Sequence, residues 1–194
     1  MDKSVFLFIN GLAGKNAAID GFFRGFSNDY FALVTGCFIL VWLWFGMKSA
    51  AERQVMQKTV IIAAISIGLT AALVLISNKH YFRIRPFNDL PAGSVTLLFY
   101  KPTDSSFPSN IASILFAMAW PVFIKNKTYG SILLAIDVLA GFGRVYIGVH
   151  YPSDILGGAA IAALGAACAF GAIWLIGPFQ RFLVGLLRSI HLAE

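Results

Sequence analysis

Long apolar segments separated by short polar stretches constrain the fold of this chain more than any other feature. Hydrophobic residues make up 58% of the 194 positions and charged residues 12%, whereas soluble domains are roughly 45–50% apolar. We predict an all-α, polytopic integral membrane helix bundle of about five transmembrane helices, because a bilayer crossing needs roughly 20 apolar residues. The predicted spans are residues 30–46, 59–77, 110–124, 128–149 and 154–177, and the third is short, since it covers only about 22 Å at 1.5 Å per residue.

The N-terminal segment, residues 4–28, is predicted to form an amphipathic, Phe-rich pair of short helices that lie in the membrane interface as a lipid anchor. We expect residues 1–194 to form one membrane-embedded domain, with 1–28 as the interfacial segment and a core of about 30–177. No cleavable signal peptide is expected, because Asp2 and Lys3 precede a short apolar stretch. Cys37 and Cys168 fall inside apolar runs, which predicts small buried hydrophobic side chains.

The formal net charge of +6 is scattered over short loops rather than gathered in a stripe, which argues against nucleic-acid binding. Basic residues recur on one side of the predicted bundle, and by the positive-inside tendency that side is cytoplasmic. They are Lys48, Arg53, Lys58, Lys125, Lys127, Arg181 and Arg188. The loops 78–109 and 150–153 then face outward, as does the N-terminus.

Three ionisable residues follow Gly143 at the mouth of the last spans: Arg144, then His150 after five residues, then Asp154 after three. Charge close to hydrocarbon is costly, so such a cluster indicates a functional site. Asp154, four residues after His150, is predicted to accept the ring N–H and to leave the other nitrogen as a nucleophilic lone pair. A buried pair without chemistry, or an acidic residue of the first helical turn, is the alternative for Asp154.

Two further segments are expected to meet this cluster on the outer side. Arg85 precedes Pro86, and its rigid guanidinium suits two oxygens of one phosphate, although an arginine here can also extend along the helix to the headgroups. Ser109 is a helix N-cap by pattern, and a capped helix start directs free N–H groups at an anion. Histidine attack on a phosphoryl group spreads charge over oxygens that Arg85 and Arg144 would stabilise.

Together these residues resemble the type 2 phosphatidic acid phosphatase superfamily, whose motifs read Lys-x6-Arg-Pro, Pro-Ser-Gly-His and Ser-Arg-x5-His-x3-Asp. Small size, the predicted spans, Phe107-Pro108-Ser109 and His150-Tyr151-Pro152 are most similar to its bacterial undecaprenyl pyrophosphate phosphatase branch. The resemblance implies His150 and Asp154 as catalytic residues. The phosphate-binding residues that we predict are Arg85, Arg144, Ser109, Asn110 and Lys79.

The chain departs from these motifs at three positions. Asn78 stands where the first motif has lysine, and Lys79 is one residue later, about 100° further around a helix. Gly143 lacks the serine hydroxyl of the third motif. Ile111 occupies the place of the histidine that the family uses as general acid, a contribution typically worth roughly 10²–10⁴-fold. Asp104, shortly before Ser109, is considered as a replacement acid.

The resemblance implies a lipid phosphatase that converts undecaprenyl diphosphate to undecaprenyl phosphate on the outer face of a bacterial inner membrane, through a phosphohistidine. We predict no cofactor and no metal, because the nine acidic residues are not clustered. The expected partners are an isoprenoid or phospholipid phosphate and the bilayer, and the oligomeric state is open. The alternatives are a broader phosphatase for phosphatidylglycerophosphate or phosphatidate, and a catalytically impaired lipid-phosphate binder or transporter. Asp137 is predicted to pair with Arg144, with a proton path or an ion site as the alternative.

Overall fold

Every regular element of the computed structural model is an α-helix within the described residues, which are 1–175, 185, 186 and 189. The prediction of an all-helical bundle is therefore confirmed. The helices are α1 (Asp2–Asn10), α2 (Ala17–Phe26), α3 (Phe31–Phe45), α4 (Ala50–His80), α5 (Pro86–Asp89), α6 (Asn110–Lys125), α7 (Lys127–Tyr146) and α8 (Pro152–Leu175). The predicted end of the last span at 177, and the basic residues Arg181 and Arg188, lie outside the described part.

Three helices, α4, α7 and α8, are long and apolar enough to cross a membrane, and a bent pair supplies a fourth candidate. That pair is α2 with α3, which meet at 53°. Helix α6 has 16 residues, about 24 Å at 1.5 Å per residue, and so falls short of a full crossing. Of the roughly five predicted transmembrane helices, three or four are candidates by length and composition, and the predicted short third span is α6.

Helices α4, α6, α7 and α8 form the central bundle, with α3 packed along α4 and α6. The close approach of α8 to the start of α6 depends on Gly158, where a Cβ atom would lie 2.9 Å from the Ser113 hydroxyl and 3.1 Å from the Ser109 carbonyl oxygen. Small residues of α8 therefore support close helix packing within the chain. Cys37 and Cys168 are free and exposed on the bundle surface, so the expected burial of these side chains is wrong.

The two N-terminal helices are present as predicted, but α1 packs into the protein and does more than lie in the interface. Phe6 is fully buried, and its ring centroid is 5.3 Å from that of Tyr151. The buried Asn10 side chain donates to the carbonyl oxygens of Thr96 and Tyr146. Through these two hydrogen bonds, the buried Asn10 amide fixes α1 to the C-terminal end of α7 and to the loop that precedes α6. A lipid anchor alone does not need such contacts.

Candidate active site

Three segments converge on a cavity of about 190 Å³ at one end of the bundle: the loop 81–109, the start of α6 and the turn between α7 and α8. Five of the predicted positions line it, namely Arg85, Asn110, Ile111, Arg144 and His150. The other lining residues are Asp29, Tyr100, Pro102 and Asp104. The outer-loop segments singled out in the sequence therefore meet in space, and they do so around the histidine.

The His150 side chain is buried, and its two ring nitrogens have different surroundings. Nδ1 lies 2.9 Å from the carbonyl oxygen of Ser106, which can only accept, so Nδ1 carries the proton. Nε2 lies 3.3 Å from Nη1 of Arg85, which can donate to its lone pair, and both residues line the cavity. Burial, followed by the charges of Arg144 and Arg85, lowers the pKa of His150 to about 4. The ring is therefore neutral near pH 7.

Asp154 does not accept the ring N–H as predicted, since its Oδ2 lies 3.6 Å from Nδ1 of His150. The spacing of four residues would align the two side chains on a continuous helix, but α8 begins at Pro152, after a turn that contains His150. Asp154 instead accepts from the Ser106 hydroxyl and the Tyr151 N–H, at 2.6 and 2.7 Å. It therefore holds Ser106, whose carbonyl oxygen accepts the hydrogen bond from the histidine N–H.

Arg85 and Arg144 are both buried beside the cavity, and each is paired with one carboxylate. Nη2 of Arg85 lies 2.8 Å from Asp104 Oδ1, and Nη1 of Arg144 lies 2.8 Å from Asp29 Oδ1. Nε of Arg144 is buried without a hydrogen-bond partner. Two guanidinium groups near one nucleophilic nitrogen form a receptor for a multiply charged oxyanion such as phosphate.

The start of α6 contributes two cavity residues and one structural cap. The Asn110 amide donates to Asp104 Oδ2 at 3.1 Å, and its carbonyl oxygen has no partner. Ile111 lines the cavity, at the position where the family places its general acid. Ser109 is fully buried, caps α6 through the Ala112 N–H at 3.5 Å and is not among the lining residues. Its phosphate contact stays a prediction, which this placement does not favour.

Lys79 lies exposed near the end of α4 and is not among the lining residues of the cavity, so this predicted phosphate ligand is not brought to the site. One helical residue of displacement from the motif position turns its side chain away. Arg83, which the motifs did not identify, instead contacts Asp154 at 2.6 Å. Its position two residues before Arg85, in the non-helical stretch after α4, was a signal that could have found it.

This chain has Gly143 where the third motif has serine, and the side chain of Ser27 fills the space that a serine at 143 would need. A Cβ atom on Gly143 would lie 1.8 Å from the Ser27 hydroxyl oxygen and 2.8 Å from a ring carbon of Phe23. Ser27 is buried and comes from the connection between α2 and α3. Glycine at 143 therefore permits the N-terminal segment to pack against α7 next to Arg144.

The predicted pairing of Asp137 with Arg144 is wrong. Arg144 donates to Asp29 Oδ1 and to the Ser27 carbonyl, while Oδ2 of the buried Asp137 has no hydrogen-bond partner. Both residues lie on α7, but the Arg144 side chain extends beyond the helix toward the connection between α2 and α3. Asp137 is thus no part of the arginine's ion pair.

Two other cavities help to locate the chemistry. A cavity of about 330 Å³ adjoins the site and shares Arg85, Pro102 and Asp104 with it. A larger cavity of about 700 Å³ lies between α2 and residues 97–100, but Arg24 is the one charged residue among its lining. The smaller cavity, which His150 lines, is therefore the candidate active site. Within residues 1–175 no three His, Cys, Asp or Glu side chains group as metal ligands.

A helical membrane bundle that holds a neutral histidine and two buried arginines at one cavity defines a class of integral membrane proteins that handle phosphate groups. Comparison with known proteins agrees. The PAP2 superfamily model matches residues 59–178. Undecaprenyl-diphosphatase BcrC of Bacillus subtilis is 29% identical over 191 residues, 98% of this chain and 93% of that protein. An undecaprenyl-diphosphatase of Sulfolobus acidocaldarius is 32% identical over 134 residues, 69% of this chain and 57% of that protein.

Among solved structures, Aquifex aeolicus LpxE is similar with a TM-score of 0.68 and 26% identity, over 87% of this chain and 93% of that one. The chain belongs to the PAP2 superfamily. It is a membrane-embedded lipid phosphatase, as the sequence resemblance predicted.

Proposed function

We propose that this phosphatase removes the terminal phosphate of undecaprenyl diphosphate and leaves undecaprenyl phosphate. The observation that carries the proposal is a buried His150 that lines a 190 Å³ cavity together with Arg85 and Arg144, with Nδ1 bound to the Ser106 carbonyl and unprotonated Nε2 next to Arg85. The named activity of the B. subtilis relative, similar over nearly the whole chain, supports the choice of substrate.

The first step is attack of His150 Nε2 on the terminal phosphorus. An N–P bond forms, the bond from phosphorus to the bridging oxygen breaks, and its electron pair leaves with undecaprenyl phosphate. Charge on the equatorial oxygens is stabilised by Arg85 and Arg144. The phosphorylated ring gains positive charge, which the Ser106 carbonyl at 2.9 Å from Nδ1 and the nearby Asp154 carboxylate stabilise.

The second step is hydrolysis of the phosphohistidine. A water oxygen bonds to phosphorus, the N–P bond breaks, and its electron pair returns to Nε2, so that the ring is neutral again. The proton of the water leaves with phosphate or solvent. We include metal independence in the proposal, because guanidinium groups and a neutral nucleophile supply the charge stabilisation and the attack within this chain.

A diphosphate is favoured over a monoester because Ile111 cannot donate a proton to the leaving group. A phosphate monoester departs from a diphosphate far more readily than an alkoxide departs from a monoester. The adjoining 330 Å³ cavity supports the same choice, since Lys101 lines it beside Arg85 and can meet the second phosphate. Phe82 and Ile84, which are exposed, also line it and offer an apolar path toward the isoprenoid tail.

We place the site on the outer face of a bacterial inner membrane. The cavity lies where α4 ends and α8 begins, whereas Lys125 and Lys127 lie at the opposite end of α6. The positive-inside tendency makes that opposite end cytoplasmic. We also treat residues 1–194 as one domain, which the packing of α1 against α7 and α8 supports.

A second candidate is a lipid-phosphate binder with little turnover, or a phosphatase for phosphatidylglycerophosphate or phosphatidate. The observation that favours a binder with little turnover is that Ile111, which cannot donate a proton, lines the cavity. Phosphate release by purified protein in detergent, with a chelator present, distinguishes them. We expect the protein to release phosphate from undecaprenyl diphosphate and, much more slowly, from phosphatidate. We expect no release by the His150→Ala variant.

Two results would count against the proposal. Turnover by His150→Ala would show that His150 is not the nucleophile. Absence of phosphate release even by Ile111→His would favour a lipid-phosphate binder. Loss of turnover on chelation would overturn metal independence alone.

A further inference from the structure

Arg83 joins the N-terminal helix to the carboxylate behind the candidate nucleophile. Its Nη1 lies 2.6 Å from Asp154 Oδ1, and its Nη2 lies 2.6 Å from Asp2 Oδ2. The Asp154 side chain is fully buried, whereas Asp2 and Arg83 are partly exposed. A buried carboxylate needs a partner for its charge, and the partner here is itself held by the second residue of the chain.

We propose that Arg83, held in place by Asp2, is a positioning residue that fixes the orientation of His150 through Asp154 and Ser106. The inference rests on the proposed function, because it assigns His150 the role of nucleophile. Neither Arg83 nor Asp2 is a residue that the motifs specify.

The contact chain from Arg83 to the histidine has no gap. Asp154 Oδ2 accepts from the Ser106 hydroxyl at 2.6 Å and from the Tyr151 backbone N–H at 2.7 Å. The Ser106 carbonyl oxygen lies 2.9 Å from Nδ1 of His150. Asp154 thus holds Tyr151, which follows His150, and Ser106, which accepts the hydrogen bond from the ring N–H. A carboxylate that lost Arg83 would shift, and both contacts would shift with it.

Helix α1 contacts the residues that follow His150. Asp2 accepts from the backbone N–H of Ser153 at 3.1 Å and from its hydroxyl at 2.5 Å. Although burial alone would raise it, the pKa of Asp2 is lowered by its hydrogen bonds from Ser153 and Arg83, so Asp2 is ionised near neutral pH. Phe6 packs on Tyr151. The guanidinium of Arg83 also lies 4.3 Å from the centre of the Tyr151 ring.

The same network acts on the charge of the histidine. The ionisable groups around His150 are Arg85 and Arg144, which disfavour a second ring proton, and Asp154, which favours it. Arg83 neutralises Asp154. Without Arg83 the Asp154 charge is uncompensated, and we expect His150 to bind a proton at higher pH, while its two neutral tautomers mix because Ser106 is no longer fixed.

The test compares full-length Arg83→Gln, Arg83→Lys and Asp2→Asn, with Arg24→Gln on the exposed surface of α2 as the matched control. For Arg83→Gln we expect kcat to fall about 10-fold to 100-fold with KM within twofold. The loss is smaller than the roughly 10⁴-fold that follows loss of a carboxylate bonded directly to a catalytic histidine. The acid limb of kcat/KM should move to higher pH. Arg83→Lys should recover most of kcat, Asp2→Asn should show a smaller loss, and Arg24→Gln should be unchanged.

A readout independent of turnover is the titration and tautomer state of His150, followed by ¹⁵N NMR of the histidine ring in detergent. We expect a higher pKa and mixed tautomers in Arg83→Gln. An unmoved titration, or a rise in KM alone, would overturn the inference and make Arg83 a structural or substrate-binding residue. Turnover by His150→Ala would instead overturn the proposed function, and the NMR result would still decide whether Arg83 positions the ring.

Discussion

Ile111 and His150 line the same cavity, from α6 and from the turn before α8. A histidine at position 111 would therefore lie next to a phosphate that His150 attacks. We expect Ile111→His to raise turnover, by up to roughly 10²–10⁴-fold for a monoester and by much less for undecaprenyl diphosphate, whose leaving group needs less protonation. Initial rates of phosphate release from both substrates measure this difference.

The control for that substitution is Ile111→Gln, which adds polarity without a group that titrates near neutral pH. Equal gains for histidine and glutamine would show that polarity rather than proton donation limits the reaction.

Asp104 forms an ion pair with the Arg85 guanidinium, with 2.8 Å between Nη2 and Oδ1, and therefore competes with a phosphate for the same group. A competing carboxylate weakens anion binding, so we expect Asp104→Asn to lower the inhibition constant of inorganic phosphate. Asp104 is about half exposed, and such ion pairs contribute roughly 1 kcal/mol or less, which corresponds to a threefold to fivefold change. Glu52→Gln, at the opposite end of α4, is the control of equal charge change. Weaker phosphate inhibition in Asp104→Asn would contradict the competition.

The buried position of His150 predicts an unusual pH profile. For an ordinary histidine, with a pKa of about 6.5, the neutral fraction would fall to roughly one thirtieth by pH 5. Because burial, then Arg144 and Arg85, lower the pKa of His150 to about 4, its lone pair persists as the pH falls and is lost only below that value. We therefore expect kcat/KM to change less than twofold on this limb between pH 7 and 5.5. A tenfold loss by pH 5.5, reversible on return to pH 7, would contradict it.

Substitutions at Gly143 and Ser27 are expected to have coupled effects on stability. Gly143→Ser places a side chain 1.8 Å from the Ser27 hydroxyl, and overpacking of this kind costs about 1–3 kcal/mol. Ser27→Gly combined with Gly143→Ser should recover part of the loss in thermal unfolding of the detergent-solubilised protein. Gly171→Ser is the matched control, since a Cβ there meets nothing within 4 Å. Additive effects of the two substitutions would show that they do not share one space.

The sequence supported the class of fold and most of the site because both depend on local patterns. Apolar runs of sufficient length exclude a soluble fold, and the motif spacing selected Arg85, Arg144 and His150, which the structure brings to one cavity. The sequence also indicated that the third span is short, and the structure gives α6 only 16 residues. Sequence spacing, however, assigned the ring proton to Asp154, since counting four residues assumes a helix that has not yet begun at His150.

By itself, the sequence determined an all-helical membrane protein of the PAP2 superfamily with a histidine and two arginines for phosphate, because hydropathy and motif spacing are written along the chain. The tertiary structure decided the partners of those residues. The Ser106 carbonyl accepts the hydrogen bond from the ring N–H of His150, Arg83 and Asp2 hold Asp154, and the partner of Arg144 is Asp29. Asp2 and Arg83 are 81 residues apart in sequence, and contacts over such a distance depend on how helices pack, which no local pattern encodes.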